Sequence, residues 1–303
     1  MRFATGLFAF SSMVLVACGG GGGGGGDDTG DDAPGPDADP GLQFRINTPE
    51  IEIQPGQEVT YCYYTTIDID DAVGLKRWSS TMSQGSHHLI VYFTDTALHP
   101  DGTVTEDCGG TGIPYWTYSA GTPEYENAMP AGVGMTVNAQ QHLYVQLHYI
   151  NYSPSTPLTA QAEVVADYYP PGEEYIPAAA FITFHTGISI PPMGTGTVNA
   201  TCTPPPGVEF FQMSTHVHRR GIHTEVRDGD TMIFESQDWE HPGQTDWREN
   251  GYTFSGDLYY QCDYQNDLDQ QVNTGDSAAT DEMCMAVGYF YPANDGPQFC
   301  LGF

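Results

Sequence analysis

Basic residues are scarce in this chain. Its 303 residues hold 8 lysines and arginines against 39 aspartates and glutamates, a formal net charge of −31 at neutral pH. A surface so acidic repels nucleic acid and anionic membranes, so neither is an expected partner. Long apolar runs are lacking too: beyond the first 18 residues no stretch is long and apolar enough to span a bilayer. A sustained 3.6-residue apolar period is also missing, which argues against amphipathic helices. Cysteine is sparse but even in number. Of seven cysteines, Cys18 stands apart near the start, leaving Cys62, Cys108, Cys202, Cys262, Cys284 and Cys300. Six cysteines in an exported chain favour three disulfides. Sulfur donors for a metal would then have to come from methionine.

The start, MRFATGLFAFSSMVLVAC, is built like an export signal: Arg2, an apolar stretch, and a small-residue end. Its last four residues, LVAC, look like a bacterial lipobox, in which Cys18 would become the lipidated first residue of the mature protein. The glycine run 19–26 and the stretch DDTGDDAPGPDADP follow. Residues 19–40 cannot bury enough apolar surface to order themselves and are read as a flexible tether. The expectation is an exported, monomeric bacterial lipoprotein in the periplasm or at the cell surface, touching the membrane through its lipid alone.

From residue 41 onward the sequence is β-like. EVTYCYYTTI, HHLIVYF, QHLYVQLHYIN, AAFITFH, VEFFQMSTHVH and MCMAVGYFY are short aromatic and β-branched runs, separated by Gly, Pro, Asn and Asp clusters. The pattern predicts an all-β protein of antiparallel sandwich type. A Pro-Pro-Gly break at 170–172 divides it into residues 41–170 and 171–303.

Several of the ten histidines fall in telling places. His87 and His88 are adjacent, and strand alternation would aim them to opposite faces, so both could meet one metal only at a strand end or bulge. His142, Gln146 and His148 share one parity, opposite Leu143, Val145 and Leu147. His216 and His218 would share a face if the run before them continues as a strand. Met283 precedes Cys284. His99, His185, His223 and His241 carry no pattern beyond that of ordinary hydrogen-bonded strand residues. Should the patterned residues bind a metal, imidazole suits zinc, copper, iron or nickel, but a thioether is soft and selects copper, particularly Cu(I). Zinc would use thiolate or carboxylate beside histidine, and the thiols here are expected in disulfides.

The ordered motifs HH, VQLHY, HVH and DEMC resemble the copper type II, ascorbate-dependent monooxygenases, the group of peptidylglycine α-hydroxylating monooxygenase and dopamine β-monooxygenase. The segments PAGVGMTVNAQQHLYVQLHY and CDYQNDLDQQVNTGDSAATDEMC carry the likeness further, over nearly all of the chain after the tether. The resemblance implies two jelly-roll-like β-sandwiches facing each other across a solvent-filled cleft, with two copper ions. His87, His88 and His148 would hold an electron-transfer copper in the first half. His216, His218 and Met283 would hold, in the second, the copper at which oxygen is activated. Ascorbate or another reductant, O2 and an organic substrate would be the partners, and C–H hydroxylation the reaction. The same resemblance implies disulfides Cys62–Cys108, Cys202–Cys300 and Cys262–Cys284. Gln146 would shape the cleft or the electron route, or simply be solvated.

Substrate recognition does not carry over. Ser214 stands where peptide-amidating members have an arginine that clamps the substrate carboxylate, and Met285 and Val287 replace an asparagine and a tyrosine. A C-terminal glycine peptide is therefore not the expected substrate. Arg219 and Arg220 follow His218 and offer charge either to the cleft or to surface acids. The chain reads as a minimal two-domain core, without the lyase or extra N-terminal module of eukaryotic members. Two functions compete: a monooxygenase for an unidentified small molecule or peptide, and a copper-sequestering or copper-delivery lipoprotein that keeps the ligands without turnover.

Overall fold

The computed structural model describes residues 42–108, 115–275 and 277–303. Cys18, the leader and the tether lie outside the described residues. Among the described residues there is no helix, as the missing 3.6-residue period predicts, and almost every strand pair is antiparallel.

Alternation explains how the strands stack. In Gln141–Ile150, residues Leu143, Val145 and Leu147 point into a large apolar core, whereas His142, Gln146 and His148 take the other face. This strand lies between Glu58–Ile67 and Ser86–Thr94 in a five-stranded sheet. Opposite it, across the core that includes Leu75, Trp78 and Val164, lies a nine-stranded sheet. That sheet crosses the Pro-Pro-Gly break. Strand Ile176–His185 pairs in parallel with Val133–Val137 through its first residues, then antiparallel with Met285–Tyr291, which in turn pairs with Glu209–His216.

The last three of these strands are buried on both sides. Ala178, Ala180 and Ile182 face the first core, while Ala179 and Phe181 face a second core with Val226, Tyr260 and Phe290. The second core is closed by a four-stranded sheet built from Thr195–Cys202, Gly221–Asp228, Thr231–Ser236 and Leu258–Gln265. The result is a sandwich on each side of a shared layer, and it decides where His216 points. On Glu209–His216 the even positions, Gln212, Ser214 and His216, turn toward the five-stranded sheet, while Thr215 turns the other way and bonds Thr224.

The three disulfides are Cys62–Cys108, Cys202–Cys300 and Cys262–Cys284. The last ties Leu258–Gln265 to the residue after Met283 and closes a separation of 22 residues.

Candidate metal centre

His87 and His88 can converge because the strand is not regular there. Against Gln141–Ile150 the register runs His88 to His148 and then skips to Ser86 opposite Tyr149, leaving His87 as the extra residue of a bulge. The bulge turns both imidazoles to the His148 side. Ring centroids are 5.2 Å apart for His87 and His88, 4.9 Å for His87 and His148, and 5.0 Å for His88 and His148. One nitrogen from each ring lies within 4.8 Å of the others, the spacing of a site able to hold a single ion.

Glu58 fixes the tautomer of His148. Its carboxylate Oε1 accepts from Nε2 at 2.8 Å, so Nε2 carries the proton and Nδ1 is the lone-pair nitrogen. A carboxylate behind an imidazole is the usual support of a metal-binding histidine. His87 Nδ1 lies 3.0 Å from His88 Nδ1, and His87 Nε2 is buried without a hydrogen-bond partner. Such a donor set suits a metal ion better than a protein hydrogen-bond network.

The second group forms differently from the strand expectation. Glu209–His216 ends at His216, and His218 lies beyond it in the turn. The rings are nevertheless 5.5 Å apart. What holds them is Glu282, fully buried, whose two oxygens accept from the backbone N–H of His218 at 2.9 Å and of Arg220 at 2.8 Å. His218 Nδ1 donates to the Asp281 carbonyl at 3.1 Å, which makes Nε2 its lone-pair nitrogen. Tyr264 holds the neighbouring backbone by donating to the Met283 carbonyl at 2.7 Å. His216, His218, Met283 and Gln146 line one cavity of about 400 Å³, placing Gln146 inside the cleft rather than in bulk solvent.

The two groups touch. His88 and His216 rings stand 5.6 Å apart, edge to face. The solvent-filled gap implied between the centres therefore narrows to ring contact at this point, with one cavity of about 400 Å³ and another of about 370 Å³ reaching both histidines. Over His87 lies Trp239, stacked at 5.0 Å and 24°.

Burial keeps these rings neutral, the form in which imidazole ligates. It pushes His87 down to about 3, with His148 adding to the effect, and His148 down to about 4. His88 and His216 are held well below the ordinary value, again by burial first. An unfolded chain accepts these protons below about pH 6.5, whereas the folded one refuses them. Stability of the metal-free protein is thus expected to be full at neutral pH. It should fall as pH drops from about 6.5 toward 4, by about 1.4 kcal/mol per pH unit for each histidine. Urea midpoints at about pH 7.5 and about pH 5 measure this, and equal midpoints would show the rings to be solvated.

Of the remaining polar residues, Arg219 is exposed and pairs with Asp267. Arg220 is buried, lies 3.9 Å from Glu282 and 3.1 Å from Asp267, and backs the His218 turn rather than a ligand cleft. His142 bonds Thr66 at the far end of its strand and stays outside the first group. His99 packs on Tyr64, His185 accepts from the Gly187 N–H, and His223 pairs with Asp263. His241, unmarked in sequence, lines the cavity beside His87. Glu58 and Trp239 gave no sequence signal, since their partners are distant in the chain; Glu282 stood beside Met283 in DEMC but was not singled out, because its backbone partners lie about sixty residues earlier.

Residues 181–301 match the family model of the copper type II ascorbate-dependent monooxygenase C-terminal domain. The match spans His216, His218 and Met283. No curated protein matches significantly. Among solved structures the chain is similar to the major capsid protein of bacteriophage PM2, at 9% identity and a TM-score of 0.31, covering 82% of this chain and 97% of that one. It is also similar to peptide:N-glycanase F, at 10% identity and a TM-score of 0.37, covering 82% of this chain and 94% of that one.

Proposed function

We propose that the whole chain is a copper-dependent monooxygenase that hydroxylates a C–H bond of an organic substrate, using O2 and a reductant such as ascorbate. The observation that carries this reading is the contact between His88 and His216, which joins a three-imidazole group to a His-His-Met group beside two cavities. His87, His88 and His148 would hold one copper, and His216, His218 and Met283 the other. Bound copper would supply one-electron reducing equivalents and activate O2 for insertion into the C–H bond. Two centres of different softness fit an electron donor and an oxygen-binding partner better than they fit storage.

The chain's own residues prepare the rest. Glu58 fixes His148 with Nδ1 ready to ligate, and Asp281 does the same for Nε2 of His218. Glu282 and Tyr264 hold the turn and the Met283 backbone, so the second group is rigid before any ion arrives. Trp239 covers His87 and limits water on that side. Export with Cys18 as a lipid anchor belongs to the same proposal, and metabolic labelling with a radioactive fatty acid tests it against Cys18→Ser.

The test is reconstitution with copper followed by turnover with ascorbate, O2 and a panel of small organic molecules. We expect two coppers per chain and reductant consumption matched to hydroxylated product, both reduced in His216→Ala. Two tightly held coppers without turnover of any substrate would instead favour the copper-delivery reading.

A further inference from the structure

The second histidine group opens into one cavity in particular. His216, His218 and Met283 all line the space of about 400 Å³, whereas of the three only His216 reaches the space of about 370 Å³. The larger cavity has an apolar floor built from four adjacent strands. His216 lies opposite Met285, strand Met285–Tyr291 pairs with Ile176–His185, and there Ile182 and Phe184 lie opposite Phe299 and Leu301 of strand Gln298–Gly302. Alternation keeps these side chains on one face, since Cys300, between Phe299 and Leu301, turns the other way to Cys202. With neighbouring strands about 4.8 Å apart, the row from His216 to the outer strand is roughly 14 Å long.

The row carries no fixed charge. Among the described residues no lysine, arginine, aspartate or glutamate lines this cavity, in a chain of net charge −31. An ion entering it would leave water without finding a counter-ion. Ile90 and Tyr92 of the five-stranded sheet face the floor from the other wall.

The row also reaches solvent. Met285 and Ile182 are buried, but Phe299 and Leu301 are 50% and 55% exposed. A single exposed leucine needs no explanation. Two large apolar side chains that continue a buried row and line the same cavity mark a ligand groove. The Cys202–Cys300 disulfide ties down their strand, so this apolar lip is a fixed part of the fold. A ligand that covers the lip removes its apolar surface from water.

We propose that this cavity binds an uncharged, elongated apolar molecule, of the class of a medium-length alkyl chain, with one end at the His216/His218/Met283 group and the other at Phe299 and Leu301. The inference deepens the monooxygenase reading and rests on it only for calling this ligand a substrate. Phe299 and Leu301 then determine specificity for length, and the uncharged row excludes ions.

The probes are 1-butanol, 1-hexanol, 1-octanol and 1,8-diaminooctane. Binding is read by calorimetry on the full-length protein, metal-free so that an amine cannot ligate copper. Burial of each methylene is worth about fourfold, so 1-octanol should bind at least about 50-fold more tightly than 1-butanol. The diamine has the same chain with a cation at each end, one of which must enter the row, so it should bind at least about tenfold more weakly than 1-octanol. Leu301→Thr, at a half-exposed strand position, should weaken 1-octanol about fourfold and leave the shorter 1-butanol within about twofold. Met232→Thr, which also replaces an exposed apolar strand residue but lies outside the cavity, should change neither. The chain-length series on the wild type stands by itself if Leu301→Thr folds poorly. Binding that does not grow with chain length, diamine binding as tight as that of 1-octanol, or equal weakening by Leu301→Thr and Met232→Thr would each overturn the proposal. So would a wild-type dimer in sedimentation that Leu301→Thr dissociates, because a second copy would then cover the lip. Binding as expected without ascorbate-dependent oxidation of any substrate would leave the cavity assignment standing and sink the enzyme reading instead.

Discussion

Met283→Ile should lower hydroxylation by at least about 100-fold while one copper per chain stays bound at the His87/His88/His148 group. Isoleucine is close in volume to methionine, so the packing of this half-buried residue against the first core is largely kept. What is lost is the one soft donor of the second group. A thioether favours Cu(I), so the variant should hold reduced copper at His216 and His218 far more weakly than the wild type does. Copper per chain after reduction and dialysis, measured beside turnover, checks both parts. A variant that still retains two coppers and works at the wild-type rate would show that Met283 is no ligand.

Glu282→Ala is expected to unfold the turn that carries His218. The substitution removes the acceptor of two buried backbone N–H groups, those of His218 and Arg220, and strips the buried Arg220 of a carboxylate 3.9 Å away. Breaking a buried pair on one side costs about 3–5 kcal/mol. Burial pushes the Glu282 carboxyl up to about 7, against the backbone donors and Arg220 that favour its charge, so little solvent reaches it to replace the lost bonds. Glu282→Gln keeps one carbonyl acceptor and should cost less than the alanine variant. Urea unfolding gives the stability, and copper titration should show the second group weakened by about 10- to 100-fold in the glutamine variant. Stability within about 0.5 kcal/mol of wild type in both variants would remove Glu282 from any supporting role.

Much of this protein could be read along the chain, because the signals are local. Alternation within Gln141–Ile150 separated Leu143, Val145 and Leu147 from Gln146 and His148, and the same faces appear in the folded sheet. The absence of helical periodicity is matched by the all-β architecture of the described residues. The six cysteines pair as the family resemblance implied. The likeness carried by HVH and DEMC recurs in the family match over residues 181–301.

The site is less local. That His87 and His88 share a side depends on a bulge set by the register against His148, about sixty residues away in a strand whose pairing no short window encodes. His218 was read as continuing the strand, yet it sits past its end, held by a glutamate reached only when the chain returns at Glu282. The approach of His88 to His216, the cover of Trp239 over His87, and the cavity beside them all arise between the two halves of the chain. Residue types and their two-residue spacing determine which side chains share a strand face. Only packing determines which faces meet, because the strands Ile176–His185, Glu209–His216 and Met285–Tyr291 bury both of their sides and their spacing alone does not say which side looks toward His88.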